Sequence, residues 1–488
     1  MLATVLFFCL IPFLIFADES FTQLTPGDVP GYSLISIIPN TKENVDLLRY
    51  LDVNINEVGM DFLSHPTSAD KHVEILIHPE LEKFTKNLFH EHNMTISVIS
   101  RNFTEMIEDE KLELANKEEH FARNMRARSA KSQGEYPFDL FTYNKLQKMN
   151  GYLSHLSRNT ANYNPMPGLK VKRFRIGRTY EGRPIYMLRI RLNDGKKKAA
   201  VWLDCGVHSR ERISPAFCMY AIDQLIREPE ELLNMYDFYI VPILNPDGYA
   251  YMEQYEYNSD MDIHRMWRKN RNPNNGWRSA SVFEFEGQFR WKNHFQDVIK
   301  IFPEASSQKQ FDGRFSDAPA KQDGRDIFSS SFFESRQAGA PYQYGAGRKC
   351  IGTDVNRNFD MDWATKGSSY NGCDPEIFHG TSPFSEQESK ATRRAIFFIR
   401  RKQKIASFVS VHSYGQLWMT PYASKKSLSP YNSDLQRVAQ KAVSALSSIY
   451  GTQYKYGPIS SAEIIGHEVG GSSVDWAHEK VTKLFIIY

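Results

Sequence analysis

Long apolar runs are almost absent from this chain. After the first seventeen residues, MLATVLFFCLIPFLIFA, no second stretch could cross a bilayer, and even this one falls short of the ~20 apolar residues a spanning helix needs. An excess of one charge is absent too. The 60 Lys and Arg nearly balance the 57 Asp and Glu, leaving +3, so no nucleic-acid or anionic-membrane partner is indicated. Cysteine is scarce at five residues, too few for a disulfide framework to replace a hydrophobic core. With 41% hydrophobic and 24% charged residues, global disorder is excluded. A length of 488 residues exceeds one core and predicts two domains behind a targeting segment.

The opening apolar run ends in a small residue before the acidic DES, as a signal peptide cleaved near Ala17 would, although no basic side chain starts it. A membrane anchor is the competing reading; secretion to the extracellular space is the expectation. Cys9 leaves with that segment. Export would let Cys350 and Cys373, which flank a loop, pair. Cys205, in a strand-like run, and Cys218, in a helix-like one, are expected as buried free thiols. Asn93-Met-Thr and Asn102-Phe-Thr are glycosylation sequons for an exported chain.

Residues 18–115 alternate short strand-like and helix-like runs, Tyr32 to Ile38, Thr41 to Leu51, His72 to Ile77, Pro79 to His90 and Thr95 to Ser100, predicting a small α+β module with an antiparallel sheet. A linker over 116–135 follows, charged and helical. Arg123, Arg126, Arg128 and Lys131 crowd its end, where an activating protease could cut. From 136 to 488 the pattern becomes α/β: a mixed central sheet with helices on both faces, its active site where loops leave the carboxyl ends of strands. Residues 272–349 have no clear period and read as a functional insertion, a disordered loop or sequence that does not belong.

Three patterns carry chemistry. His208 and Glu211 sit three apart in the turn after VWLDCGV, and imidazole and carboxylate both suit zinc, although a surface turn explains the pair as well. His412 ends the strand IASFVSV. Two strand-end sites of one sheet can meet, and two His with one Glu leave a fourth position for water, whose pKa falls to about 7. In Asp354-Val355-Asn356-Arg357, Arg can grip a carboxylate through two parallel hydrogen bonds, with Asn filling a lone pair; a salt-bridged surface loop is the alternative. Arg268, in MWRKNR, could be part of a solvated basic face or could polarise a carbonyl.

Taken in order, VEILIHPE, IGRTYEGRPIY, GVHSRER, ILNPDGY, MWRKNR, DVNRNFD and SVHSYGQLWMTPY make the chain resemble the zinc metallocarboxypeptidases of the pancreatic carboxypeptidase A and B type. The resemblance implies an exopeptidase acting on peptide or protein C-termini, held as a zymogen by a propeptide until a protease cuts it away. It implies one zinc ion on His208, Glu211 and His412, with Asp354 orienting His208. It further implies Arg210, Asn356, Arg357 and Tyr414 as substrate-binding residues, Arg268 as the residue polarising the scissile carbonyl, and a Cys350–Cys373 disulfide. Val474 stands where members cutting basic residues carry an acid, which implies preference for an apolar or aromatic terminal residue.

The chain departs from the pattern in three places. The family's general-base Glu would fall immediately after Tyr488, so a truncated product with little activity is expected, or else a pseudo-enzyme that binds zinc or peptide ends without cutting. GHEVGGSSVDW offers His467 or Gly466 where a mobile tyrosine is usual. The 272–349 segment replaces a short connection. A secreted zinc amidase is weakened as an alternative by the full propeptide and the Asn-Arg pair.

Overall fold

The structure is a computed structural model, and it describes residues 31–54, 60–64, 66, 68–128, 136–256, 265–278 and 349–481. The expectations on the leading seventeen residues, on the position after Tyr488, and on 279–348 within the insertion lie outside the described residues.

The leading module matches its pattern closely. Strands β1 (Ser33–Ile38), β2 (Met60–Phe62), β3 (Val73–Ile77) and β4 (Thr95–Ser100) form an antiparallel sheet in the order β2-β3-β1-β4. Helices α1 (Lys42–Asn54) and α2 (Pro79–Glu91) pack on it, and Ile35, Ile37, Leu47, Leu48, Ile75 and Phe89 close the core. Helix α3 (Phe103–Arg128) then runs across residue 115 into the charged linker. Its Ile107 is buried in a core of the second half of the chain, so its first turns dock there.

That second half is built on a five-stranded mixed sheet in the order β11-β7-β8-β6-β5, from β5 (Leu169–Arg178), β6 (Pro184–Leu192), β7 (Ala199–Cys205), β8 (Tyr236–Val241) and β11 (Ile405–Val411). β11, β7 and β8 run parallel; β6 and β5 return antiparallel. Helices cover both faces, as parallel strands require. On one face lie α4 (Leu146–Arg158), α5 (Ile213–Arg227) and α6 (Pro246–Met252), around Leu153, Ile190, Leu203 and Met219. On the other lie α7 (Gln387–Arg400), α8 (Asn432–Tyr450) and α9 (Ser473–Lys480), around Trp202, Ile396, Phe408 and Trp476. Among the described residues no helix is long and apolar enough to cross a membrane.

β9 (Pro273–Arg278) and β10 (Lys349–Ile351) form an antiparallel ribbon, with Arg278 opposite Lys349. The segment between them thus leaves and re-enters at neighbouring points. β12 (Leu417–Thr420) and β13 (Lys455–Pro458) make a parallel pair that the sequence pattern did not single out.

The expectation for one cysteine pair is overturned. Cys205 and Cys218 form a disulfide, with Cα atoms 6.3 Å apart. Cys205 ends β7, and the chain turns back so that the second turn of α5 sets Cys218 over it. Each element was legible, but not that they pack face to face at those two residues. Cys350 and Cys373 also form a disulfide.

Candidate active site

The site follows from the register of β7 and β11. These strands are parallel neighbours with Cys205 opposite Val411, so their carboxyl ends share one sheet edge. His412 is the residue immediately after β11, and His208 lies three beyond β7. The turn between β7 and α5 carries Glu211 to the same point. Donor atoms of the three residues lie within 4.8 Å of one another, and all three residues are buried.

The geometry is tight. His208 Nδ1 is 2.6 Å from Glu211 Oε1 and 3.1 Å from His412 Nδ1, and His412 Nδ1 is 3.1 Å from Glu211 Oε2. The outer nitrogens fix which ring atoms face inward. His208 Nε2 donates to Asp354 Oδ1 at 3.1 Å, and His412 Nε2 donates to Ser410 Oγ at 3.3 Å. Both Nδ1 lone pairs then point at the Glu211 carboxylate. Two buried lone pairs facing a carboxylate repel unless a cation lies between them. Nitrogen, nitrogen and oxygen about 3 Å apart are the donor set of tetrahedral zinc, so the residues fit that ion.

Charge supports the same reading. Burial by itself would raise the Glu211 carboxyl; positive charge on His208 and His412 opposes this and holds it well below the usual range, the part a metal cation would play between neutral rings. Burial pushes the His412 imidazole down, towards the neutral form that binds metal, with Glu211 opposing. Asp354, fully buried, would be raised by burial, yet Arg268, His208 and Arg357 hold it low and ionised.

The other sequence-derived residues fall around this centre. Arg268 donates from Nη2 to Asp354 Oδ2 at 2.8 Å, and its Nη1 is 3.1 Å from His208 Nδ1 and 3.6 Å from Glu211 Oε1. It is the cation nearest the donor triangle. Asp354 caps a short turn (Val355–Arg357), accepting from the Asn356 amide at 2.8 Å. Asn356 Oδ1 accepts from the Ser473 amide at 3.0 Å, which places Val474 one residue from the Asn-Arg pair; Val474 itself is buried among core residues. Arg357 donates from Nε to Gly367 O at 2.8 Å, and Nη1 lies 3.5 Å from Asp354 Oδ2. Gly471 is required beside it: its φ is +73°, and a Cβ there would sit 2.1 Å from Arg357 O. The Cys350–Cys373 disulfide ties β10 to the loop after this cluster.

Arg210 and Tyr414 are engaged by the leading module. Arg210 Nη1 lies 3.5 Å from Asp61 Oδ2, and the Tyr414 hydroxyl donates to Glu74. Close by, Arg265 donates to Glu110 of α3 at 2.7 Å. Substrate-binding candidates and carboxylates of the first module thus face each other across the cleft. His467, in the loop before α9, is half-buried and turns Nδ1 to Ile465 O.

Sequence reasoning missed two groups. Glu376 accepts both Arg210 terminal nitrogens, at 3.0 and 2.9 Å, and its carbonyl accepts from Arg268 Nε at 3.3 Å. Nothing in CDPEIFHG marks it beyond its closeness to Cys373. Asp204 accepts from Ser410 Oγ at 2.7 Å and from Trp202 Nε1 at 2.6 Å, so it stands behind His412 as Asp354 stands behind His208. A signal existed: an acid at an inward position of a buried strand needs partners. Burial pushes it up to about 6. The place expected for the general base, after Tyr488, lies outside the described residues.

Known proteins agree with the geometry. Residues 169–484 match the zinc carboxypeptidase family, and residues 35–110 match the carboxypeptidase activation peptide. Carboxypeptidase O of Bos taurus is 31% identical over 347 residues, 70% of this chain and 69% of that protein. Carboxypeptidase A6 of Homo sapiens is 26% identical over 460 residues, 92% of this chain and 80% of that one. The crystal structure of carboxypeptidase A from Helicoverpa armigera shares the fold, with a TM-score of 0.63 at 20% identity over 95% of this chain and 90% of the other. With its second half matched by the enzyme domain and its first by the activation peptide, this chain belongs to the zinc carboxypeptidase family, as the precursor of a metallocarboxypeptidase.

Proposed function

We propose that this chain is a secreted zymogen whose mature form removes the last residue of peptides, with preference for apolar or aromatic ends. The observation that carries this reading is the convergence of His208, Glu211 and His412 on one point beside Arg268. One zinc ion held there would supply Lewis acidity and lower the pKa of a water to about 7.

The chain's own residues set the rest. Asp354 keeps the His208 proton on Nε2, leaving Nδ1 free to ligate. Arg268 presents N–H groups where the scissile carbonyl develops negative charge. Asn356 and Arg357, helped by Arg210 and Tyr414, receive the terminal carboxylate, the group that marks a peptide's end. Val474, apolar where a basic side chain would need an acid, supports selection of apolar ends.

The domain boundaries follow: signal 1–17, propeptide 18–115, linker 116–135 and enzyme domain 136–488, with an insertion over 272–349. A protease cutting the basic end of the linker would start release of the propeptide. Peptide and protein C-termini are the remaining partners.

Two measurements test this. Zinc content per mole should approach one in wild type and fall at least tenfold in His412→Ala; equal content would sink the ligand assignment. After cleavage in the linker and removal of the propeptide, a peptide ending in phenylalanine should bind more tightly than its C-terminal amide by at least tenfold, and more tightly than one ending in arginine. Equal binding of acid and amide would remove the carboxylate-recognition role.

A further inference from the structure

Helix α7 has two faces of opposite character. Ala391, Thr392, Ala395, Ile396 and Ile399 are buried against the sheet, whereas Arg393, Arg394, Phe397, Phe398, Arg400 and Arg401 are exposed. From Lys390 to Lys404 the sequence holds seven cations and no carboxylate. A groove of about 560 Å³ opens on this face, lined by Lys390, Arg393, Arg394, Phe397, Phe398 and Arg401. Four of these lining residues are cations and two are phenylalanines, both exposed.

These cations are not used up by the fold. Lys390 Nζ donates to Ser385 O at 2.7 Å, and Arg393 stacks over Phe384 with its guanidinium 4.8 Å from the ring centre. Among the described residues no carboxylate pairs with Lys390, Arg393, Arg394 or Arg401. The basic surface also continues beyond the helix. α7 packs on the edge strand β5, which has no acid and carries Lys170 and Lys172 at positions that share a face with Phe174, whereas Arg173 turns to the other face and donates to Asn150 O at 3.3 Å. Lys172 and Arg189 flank Phe174 on the face α7 covers, with Nζ and Cζ 5.2 and 5.7 Å from the ring centre. On the neighbouring strand β6, Arg191 lies 4.0 Å from Asp237.

We infer that this groove binds a sulfated polysaccharide chain. Guanidinium groups bind sulfate through paired hydrogen bonds, and the exposed rings offer a flat apolar floor for the C–H faces of sugar units. A polysaccharide needs both, whereas a bare polyanion would use only the cations. Lys170 and Lys172 of β5 extend the cationic surface past the groove itself. This inference does not depend on the zinc site; it takes from the functional reading only that the chain is exported, since such polymers lie outside cells.

The test uses the full chain and size-fractionated heparin as probe. Wild type should bind with an affinity that falls steeply with salt, as counterion release requires. Lys390→Ala, Arg394→Ala and Arg401→Ala together should weaken binding at least tenfold and flatten the dependence of log affinity on log salt by about two to three. Phe398→Ala should weaken heparin binding several-fold while leaving binding of inorganic polyphosphate unchanged. Lys42→Ala with Lys83→Ala, remote on the first module, should change affinity less than twofold. As a readout independent of the variants, heparin should slow amide exchange in α7 and β5 of wild type. Equal affinity of wild type and the triple variant, protection confined to another surface, or tighter binding of double-stranded DNA than of heparin would each overturn the assignment. Zinc content should stay the same in every variant, so failure here is separable from failure of the metal site.

Discussion

At the scale of single residues, the two histidines of the candidate metal site are held by unequal supports. His208 leans on Asp354, an ionised carboxylate also gripped by Arg268. His412 leans on a serine, and the carboxylate stands one bond further back at Asp204. Partners of this kind typically change metal affinity 10–100-fold when removed. Asp354→Asn should therefore weaken zinc binding towards the upper end of that range and Ser410→Ala towards the lower, measured by chelator competition. Equal losses would show that the two supports matter alike.

A second residue-scale expectation concerns Glu388, buried at the start of α7. Burial first, and then the neighbouring Glu386, push its carboxyl up from 4.5 to about 8. Asn270 donates to both acids, at 3.1 Å to Glu388 and 2.7 Å to Glu386, and Glu388 Oε1 has no hydrogen-bond partner among the described residues. Between pH 4.5 and 8 the folded state holds a proton that the unfolded chain has released. Stability should fall as pH rises through that window. In Glu388→Gln the thermal midpoint should drop less between pH 5 and pH 8 than in wild type; parallel curves would show that this carboxyl does not titrate with folding.

Elements were more legible than their partners. The expected runs of the leading module appear within three residues of where the pattern put them, though β2 was not among them, because alternation at period two and amphipathic spacing at 3.6 are local properties. Likewise His208 and His412 could be matched because each follows a strong apolar strand. What stayed hidden is what depends on packing between elements. The Cys205–Cys218 bond needs α5 to lie over the end of β7, and the parallel pairing of β12 with β13 joins segments more than thirty residues apart. Glu376 falls in the same class: its role comes from meeting Arg210 across 166 residues of chain.

The two disulfides make an element-scale contrast. Each closes a short loop, with separations of 13 and 23 residues, and such cross-links typically stabilise by about 2–4 kcal/mol. Replacing either pair with serine should lower the thermal midpoint by a similar amount. Only loss of Cys350–Cys373 frees the loop behind Asp354 and Arg357, so it should weaken binding of carboxylate-ended peptides more than loss of Cys205–Cys218 does. The reverse order would place the Asn-Arg pair under other control.

On the scale of the whole molecule, the first module covers the cleft through carboxylates. Asp61 faces Arg210, Glu74 holds Tyr414, and Glu110 holds Arg265. Partly exposed ion pairs of this kind are individually weak and screened by salt. Away from the cleft, Arg49 also donates to Ala462 O at 2.6 Å, and Lys455 to Ser68 at 2.8 Å. After a cut in the linker, the module should stay bound at low ionic strength and leave at high. Asp61→Asn, Glu74→Gln and Glu110→Gln together should weaken its retention about tenfold at low salt, read by size-exclusion chromatography. Retention insensitive to both salt and the triple change would mean that apolar contact alone holds it.

Helix α3 gives that arrangement a temporal meaning. Its 26 residues reach roughly 39 Å; Ile107 and Glu110 anchor its opening turns, Glu118 and Phe121 meet Lys145 and Lys148 further along, and Arg123, Arg126 and Arg128 lie at its distal end. Scission at the tip severs a tether but loosens no grip. Maturation by a cut there would be a delay followed by an escape, with the length of the delay set by the off-rate of the module rather than by the speed of the protease.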